Sequence, residues 1–316
     1  CVLGAGGVGT GRQFYPPEIQ KGKVNLMATI PAERLEQFIA DAFRAVGIPA
    51  DDAATIAQLM TGIDLRGLDG HGIFRLPPTI QRIKAGGINV KPTITVKQET
   101  PSTAIIDGDN AVGHLAVNKA VQVAMDKAEQ CGVAWVGTTN NNHAGAASIY
   151  AMMPMERDMI GIYMAVGSAN HLPPWGGIDM LLSTNPIAFA IPGLEDPPIV
   201  MDMATTVASY GKVKMAADRG EIMPEGWMID AEGKPLTDPA RSNDGFLVPI
   251  GGYKGYGIGL MVEVLAAALT GCRLSADVPP LKTPDGEPHD LGQFYVVVDP
   301  TSYSGAGFHE RIVALG

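Results

Sequence analysis

Two histidines and an arginine carry the most pointed chemical signals in this 316-residue chain. His143 stands in Thr139-Asn140-Asn141-Asn142-His143-Ala144-Gly145. This polar stretch follows the apolar run Val133-Ala134-Trp135-Val136-Gly137 and precedes a helical run from Ser148 to Arg157. A polar patch between the end of a strand and the start of a helix is where α/β proteins place chemistry. An imidazole there can take or give a proton near neutral pH. The same residues also suit an Asn-rich turn with a capping His. Upstream, Gly70 and Gly72 bracket His71, which favours a turn with the ring facing a cleft. A helix beginning at Gly72 would set His71 and Arg75 one turn apart on one face. An imidazole beside a guanidinium makes a carboxylate-binding pair, because Arg can grip both oxygens. A helix-capping His and a solvated Arg fit the spacing equally well.

Three further segments join strand signals to small donors and acceptors. They are Gly167-Ser168-Ala169-Asn170, Ser183-Thr184-Asn185 entering the run 187–190, and Asp202-Met203-Ala204 closing the run 199–203. Such loops suit phosphates, ribose hydroxyls and a carboxamide, although any one alone is more often an ordinary turn. Gly251-Gly252-Tyr253-Lys254-Gly255-Tyr256-Gly257 opens an apolar helix over 258–269. Glycine-rich backbone, one Lys and a helix N-terminus together form an anion site.

These residues need elements to hold them. The spacing of Leu35, Phe38, Ile39, Ala42, Phe43 and Val46 predicts an amphipathic helix over 32–47. A second helix starts at Asp51 as N-cap and runs to about Arg66. Short strands follow at 93–97 and 103–107, then a helix over 114–130 that stops at Gly132. Buried strands are expected at 160–166 and 292–300, and a helix-like stretch at 310–315. Residues 207–250 read as a charged, Pro/Asp-rich surface excursion with a small hairpin at 227–235.

Gly4-Ala5-Gly6-Gly7-Val8-Gly9 matches GxGxxG, but only three residues precede it and the following Pro16-Pro17 cannot propagate a helix. We read 1–26 as a disordered leader, 27–110 as a helical and pocket-forming part, 111–260 as a mixed-sheet cofactor domain, and 261–316 as a C-terminal part packing back on the N-terminal one. The net charge of −10 argues against nucleic acid as a partner, since phosphate neutralisation needs a basic face. No apolar run reaches the roughly 18 residues of a spanning helix, which argues against a membrane partner. Three distant cysteines form neither a disulfide framework nor a metal pair. A reducing, cytoplasmic compartment is the expectation.

Five motifs occur in order: DLRGLDGHGIFRLP at 64–77, NNNHAGAASIY at 140–150, STNPIAFAIP at 183–192, MDMATT at 201–206 and GGYKGYG at 251–257. As a set they resemble the type 2 malate/L-lactate dehydrogenases, over 27–316. That group also holds ureidoglycolate, sulfolactate and 2,3-diketogulonate dehydrogenases and piperideine-2-carboxylate reductase. The resemblance implies a mixed α/β, non-Rossmann fold that binds NAD or NADP and acts as a homodimer on a small 2-hydroxy or 2-oxo acid. By position it implies that His143 is the acid/base group and that His71 and Arg75 meet the substrate carboxylate. It places Ser168, Thr184, Asn185, Asp202, Met203, Ala204, Lys254 and Gly255 in cofactor-binding segments, with no metal. An NADPH-dependent cyclic imine reductase and an inactive cofactor-binding relative are the alternatives.

Overall fold

A computed structural model describes residues 29–68, 70–167, 171–193, 197–279, 286–305 and 307–315. The leader at 1–26 and Ser168 lie outside the described residues.

Two N-terminal helices, α1 (Ala32–Ala45) and α2 (Ala50–Asp64), form the expected hairpin. Ile39 and Phe43 of α1 pack with Ile56, Ala57 and Met60 of α2. Phe38 shares the predicted spacing but is exposed. Pro49, not Asp51, precedes α2. Asp51 and Asp52 sit in its first turn, where carboxylates meet the positive end of the helix. A 3₁₀ turn over 73–75 leads into α3 (Leu76–Lys84), a helix that the sequence reading left out. Pro77 and Pro78 occupy its opening positions, where a missing N–H costs nothing.

The body is a seven-stranded sheet. In chain order its strands are β1 (Thr95–Glu99), β2 (Thr103–Asp107), β3 (Val133–Thr139), β4 (Ile160–Ala165), β5 (Ile187–Ile191), β6 (Ile199–Met203) and, after a small separate ribbon, β9 (Gln293–Val298). In space the order is β1-β2-β3-β9-β4-β5-β6. Among the described residues only β2 and β3 run parallel, joined by α4 (Gly113–Cys131). The other neighbours are antiparallel. This is a mixed sheet without the repeated βαβ unit of a Rossmann fold.

β9 arrives last and lies in the middle. Its run Gln293-Phe294-Tyr295-Val296-Val297 is buried on both faces, as a central strand requires. Tyr295 and Val297 face the cluster built by α4 and α5 (Ala147–Ala151). Phe294 and Val296 face the cluster that includes Val262 and Ala266. Those two residues belong to α7 (Tyr253–Glu263) and the π-turn that continues it to Ala268. Pro154 shortens α5, so the expected helix over 148–157 breaks into a turn of helix and a 3₁₀ segment.

The excursion over 207–250 is more ordered than composition suggested. It holds α6 (Tyr210–Arg219), capped by Ser209, and a two-stranded ribbon of β7 (Met228–Asp230) and β8 (Gly245–Leu247). α8 (Thr301–Ser304) and α9 (Gly307–Val313) close the chain. Among the described residues no helix is long and apolar enough to cross a membrane.

Candidate active site

The strand β3 ends at Thr139, and the chain then turns sharply through Asn140, whose φ is +52°. The loop that follows is fastened on both sides. Gln293 of β9 accepts from Asn141 Nδ2 (2.7 Å) and from Thr138 Oγ1, and donates to the Asn142 carbonyl (3.3 Å). Asn142 Nδ2 donates to Ala111 O (2.8 Å) and Asn110 Oδ1 (2.8 Å). Gly113 opens α4 hard against the loop: a Cβ there would lie 2.2 Å from Asn142 O and 2.5 Å from His143 O. The asparagines are thus structural, and they hold His143 still.

His143 Nδ1 accepts from the Gly145 N–H at 3.2 Å. In the neutral ring the proton then rides on Nε2, the nitrogen left for the cavity. Burial pulls the His143 pKa well below its usual value, and Arg75, His71, His114 and His289 push the same way. The ring of His71 stacks on that of His143, with centroids 5.8 Å apart and planes 12° apart.

His71 and Arg75 come from the turn after α2. Asp64 Oδ2 accepts from Ile73 N (2.8 Å) and fixes this turn. A Cβ on Gly72 would strike the Asp64 carboxylate at 2.0 Å, so a glycine is required there. Burial, then Arg75, lowers the His71 pKa to about 4. Arg75 Nε donates to Gly70 O at 2.9 Å, which leaves its terminal nitrogens free to point elsewhere. No carboxylate pairs with Arg75 among the described residues.

His71, Arg75 and His143 line one cavity of about 880 Å³. Its walls also include Thr184, Asp202, Met203 and Ala204. Asn185 lies behind the wall. It is fully buried, and its Nδ2 donates to Gly259 O (3.0 Å) and Glu263 Oε2 (2.7 Å). Lys254 is exposed outside the cavity lining, and Gly255 is buried within α7 against Ile250.

The structure adds wall residues that the sequence had not assigned to the site by role. Tyr163 of β4 stands beside Asp202, and burial and that carboxylate both raise its pKa, keeping the phenol protonated. Ser183 Oγ is buried in the wall with no hydrogen-bond partner among the described residues. Lys212 and Lys214 reach the cavity from α6. Ser183 was next to a residue already chosen; α6 was hidden by reading its segment as surface coil.

The family model for malate/L-lactate dehydrogenase matches residues 30–315. The chain belongs to this family. It is 37% identical over 281 residues to the L-sulfolactate dehydrogenase of Methanocaldococcus jannaschii, covering 89% of this chain and 80% of that protein. It resembles the solved malate dehydrogenase of Pyrococcus horikoshii with a TM-score of 0.82 at 35% identity, covering 93% and 83% of the two chains. The delta1-piperideine-2-carboxylate reductase of Pseudomonas syringae gives a TM-score of 0.83 at 29% identity, covering 92% and 88%.

Members of this dehydrogenase family act on the CH–OH carbon of 2-hydroxy acids with NAD or NADP. The cavity suits such a cofactor. Its volume lies at the upper end for small-molecule sites. The unpartnered Ser183 hydroxyl and the Thr184 and Asp202 side chains offer polar groups to ribose or carboxamide.

Proposed function

We propose that this family member interconverts a small 2-hydroxy acid and its 2-oxo partner through His143 and Arg75. The observation that carries the reading is an Arg75 without an acid partner among the described residues, on the wall of the cavity that His143 also lines. A half-buried guanidinium in such a place calls for an anion, and a planar carboxylate matches its fork.

Arg75 holds the substrate carboxylate and so fixes which face of the reacting carbon is presented. His143 Nε2 hydrogen-bonds the substrate oxygen and is the atom through which the proton moves as charge develops there. His71, kept neutral, packs against the His143 ring and sets its plane. Thr184, Asp202 and the backbone of Met203 and Ala204 line the cofactor's part of the cavity, Asn185, Lys254 and Gly255 belong to the segments around it, and Ser168 keeps the cofactor role that the resemblance implies. When bound, the nicotinamide supplies or accepts the hydride.

A His143→Ala variant should keep cofactor binding and lose about 10²–10⁴-fold in turnover, the usual contribution of a placed acid/base group. Unchanged turnover of oxaloacetate, pyruvate and sulfopyruvate by that variant would overturn the role. Turnover of piperideine-2-carboxylate alone would move the enzyme to imine reduction.

The reading extends to a cytoplasmic homodimer. Cys131 and Cys272 are free thiols, as in a reducing compartment. Ile258, Met261, Val264 and Leu269 form an exposed apolar stripe along α7 and its continuation, the kind of surface a second copy would cover. A Met261→Lys, Val264→Asp double variant should sediment as a monomer, while wild type sediments as a dimer. A wild-type monomer would rule the dimer out.

A further inference from the structure

We infer that Glu263 is a positioning residue for the dinucleotide: buried behind the cavity, its carboxylate ties together three separate stretches of the wall. That wall is the one read above as the cofactor's part, and the role of Glu263 rests on that reading.

The first observation is a carboxylate inside the protein. Glu263 ends α7 and is 4% exposed. A carboxylate so placed is costly unless hydrogen bonds replace its water. This one accepts from Asn185 Nδ2 (2.7 Å), from Ser275 Oγ (2.7 Å) and from Ser275 N. No Lys or Arg pairs with it among the described residues. Directly after Glu263 the helix widens into the π-turn Val264–Ala268, a departure that recurs at functional sites.

The second observation is what these bonds reach. Asn185 Oδ1 accepts from Gly167 N at 3.3 Å, just beyond β4, while its Nδ2 also donates to Gly259 O at 3.0 Å. The two contacts fix which end of the amide carries the oxygen. Asn185 stands at a φ of +29°, in a region that Asn enters more readily than most side chains. Ser275 opens a 3₁₀ turn over 275–277. Gly167, Thr184 beside Asn185, and Ala276 beside Ser275 all line the cavity. One carboxylate thus holds wall segments that lie far apart in the chain.

The fit leaves little slack. A Cβ on Gly167 would lie 2.4 Å from Ser183 Oγ and 2.6 Å from Thr184 Oγ1. Thr205 donates to Thr184 O from its N (2.9 Å) and its Oγ1 (3.1 Å). A Cβ on Gly259 would lie 2.9 Å from that same Oγ1. Movement at Glu263 therefore reaches the Ser183 and Thr184 hydroxyls, the groups offered to the cofactor. A wall already ordered binds more tightly than one that must order on binding. The donors also set a direction. Oε1 faces the Ser275 N–H and Oε2 faces the Asn185 amide. A glutamine would turn its NH₂ toward one of them, so the same shape without the second acceptor cannot serve.

The test compares three variants of the full chain by fluorescence titration with NADH and with NADPH. Glu263→Gln should weaken the tighter-bound of the two by roughly tenfold, the scale of a hydrogen bond to a charged group lost from a preordered site. Turnover at saturating cofactor should stay within about threefold of wild type, because the loss falls on binding and not on the proton and hydride steps. Ser275→Ala, which removes one of the three donors, should show the same pattern at smaller size. Val262→Ala, in the apolar cluster under β9, should lower Tm and leave cofactor affinity unchanged. Hydrogen exchange in Glu263→Gln should quicken in peptides covering 183–186 and 274–278, with β3 unchanged. Wild-type cofactor affinity in Glu263→Gln would overturn the inference. So would losses of affinity that follow Tm across all three variants. Should Glu263→Gln fail to fold, wild-type affinity in Ser275→Ala overturns it. A raised KM for the oxo acid with unchanged cofactor affinity would instead overturn the placing of the cofactor on this wall, and the role of Glu263 with it.

Discussion

His143 meets the cavity with one ring nitrogen already engaged, because Gly145 N–H donates to Nδ1. A base would keep its outward nitrogen bare; this ring presents Nε2 with its proton, ready to donate to a substrate oxygen. The surroundings reinforce neutrality. Burial comes first, and Arg75 and three neighbouring histidines add to it. Nitrogen-15 NMR of histidine-labelled protein should therefore show His143 neutral, protonated on Nε2, at neutral pH. It should remain so well below pH 6.5, where an ordinary imidazole is half charged. A ring protonated on Nδ1 at neutral pH would contradict this geometry. At this scale the sequence was informative about identity and weak about role. His143, His71 and Arg75 were visible from residue type and spacing. The three asparagines, which the sequence left as either part of a polar site patch or an ordinary turn, are fasteners. The duty of Gln293 could not be read, since it depends on a partner 152 residues away.

The elements act as clamps on short loops. β3 and β9 grip one side of the His143 loop and the start of α4 grips the other, with Gly113 in contact with two of its carbonyls. Gly113→Ala should raise intrinsic helix propensity yet damage the enzyme. The methyl group must push the loop aside, and 1 Å of misplacement can cost about 10²-fold. Steady-state turnover with an unchanged far-ultraviolet circular dichroism spectrum would establish this; normal turnover would show that the loop gives way freely. Most elements were legible because their apolar periodicity is local: α1, α4, β4 and β9 fall within a few residues of expectation. α3 was missed because Pro77-Pro78 looks like a break, although proline is tolerated in a first turn. α6 was missed because Lys, Asp and Arg crowd a short helix with a narrow apolar side, where only Val213 and Ala216 are buried. Strand order was out of reach, because no local pattern says that the last strand enters the centre.

At the scale of the whole molecule, the buried histidines set the response to acid. Burial lowers His114 from 6.5 to about 4, and His71 likewise. The unfolded chain therefore binds more protons than the folded one between those values, so stability falls as pH drops through that window. For His114 alone, at 1.36 kcal/mol per unit, the loss relative to neutral pH is about 3 kcal/mol at pH 4. Denaturant melts at pH 7, 5.5 and 4 should show a steep decline, and His114→Gln should flatten part of it. Equal stability at all three values would mean that these rings reach solvent. The placing of β9 has a different consequence, which belongs to synthesis. β3 and β4 are adjacent in the chain but not in the sheet; the strand that must lie between them is translated more than a hundred residues later. At roughly 5–20 residues per second, the two half-sheets wait on the order of ten seconds with facing edges open. During that interval a nascent chain exposes two unpaired strands, the usual template for wrong pairing with a neighbour on the same messenger. Such a topology makes β9 the stitch that joins the two halves of the described sheet. It also makes the nascent polypeptide a natural client for a chaperone that shields strand edges.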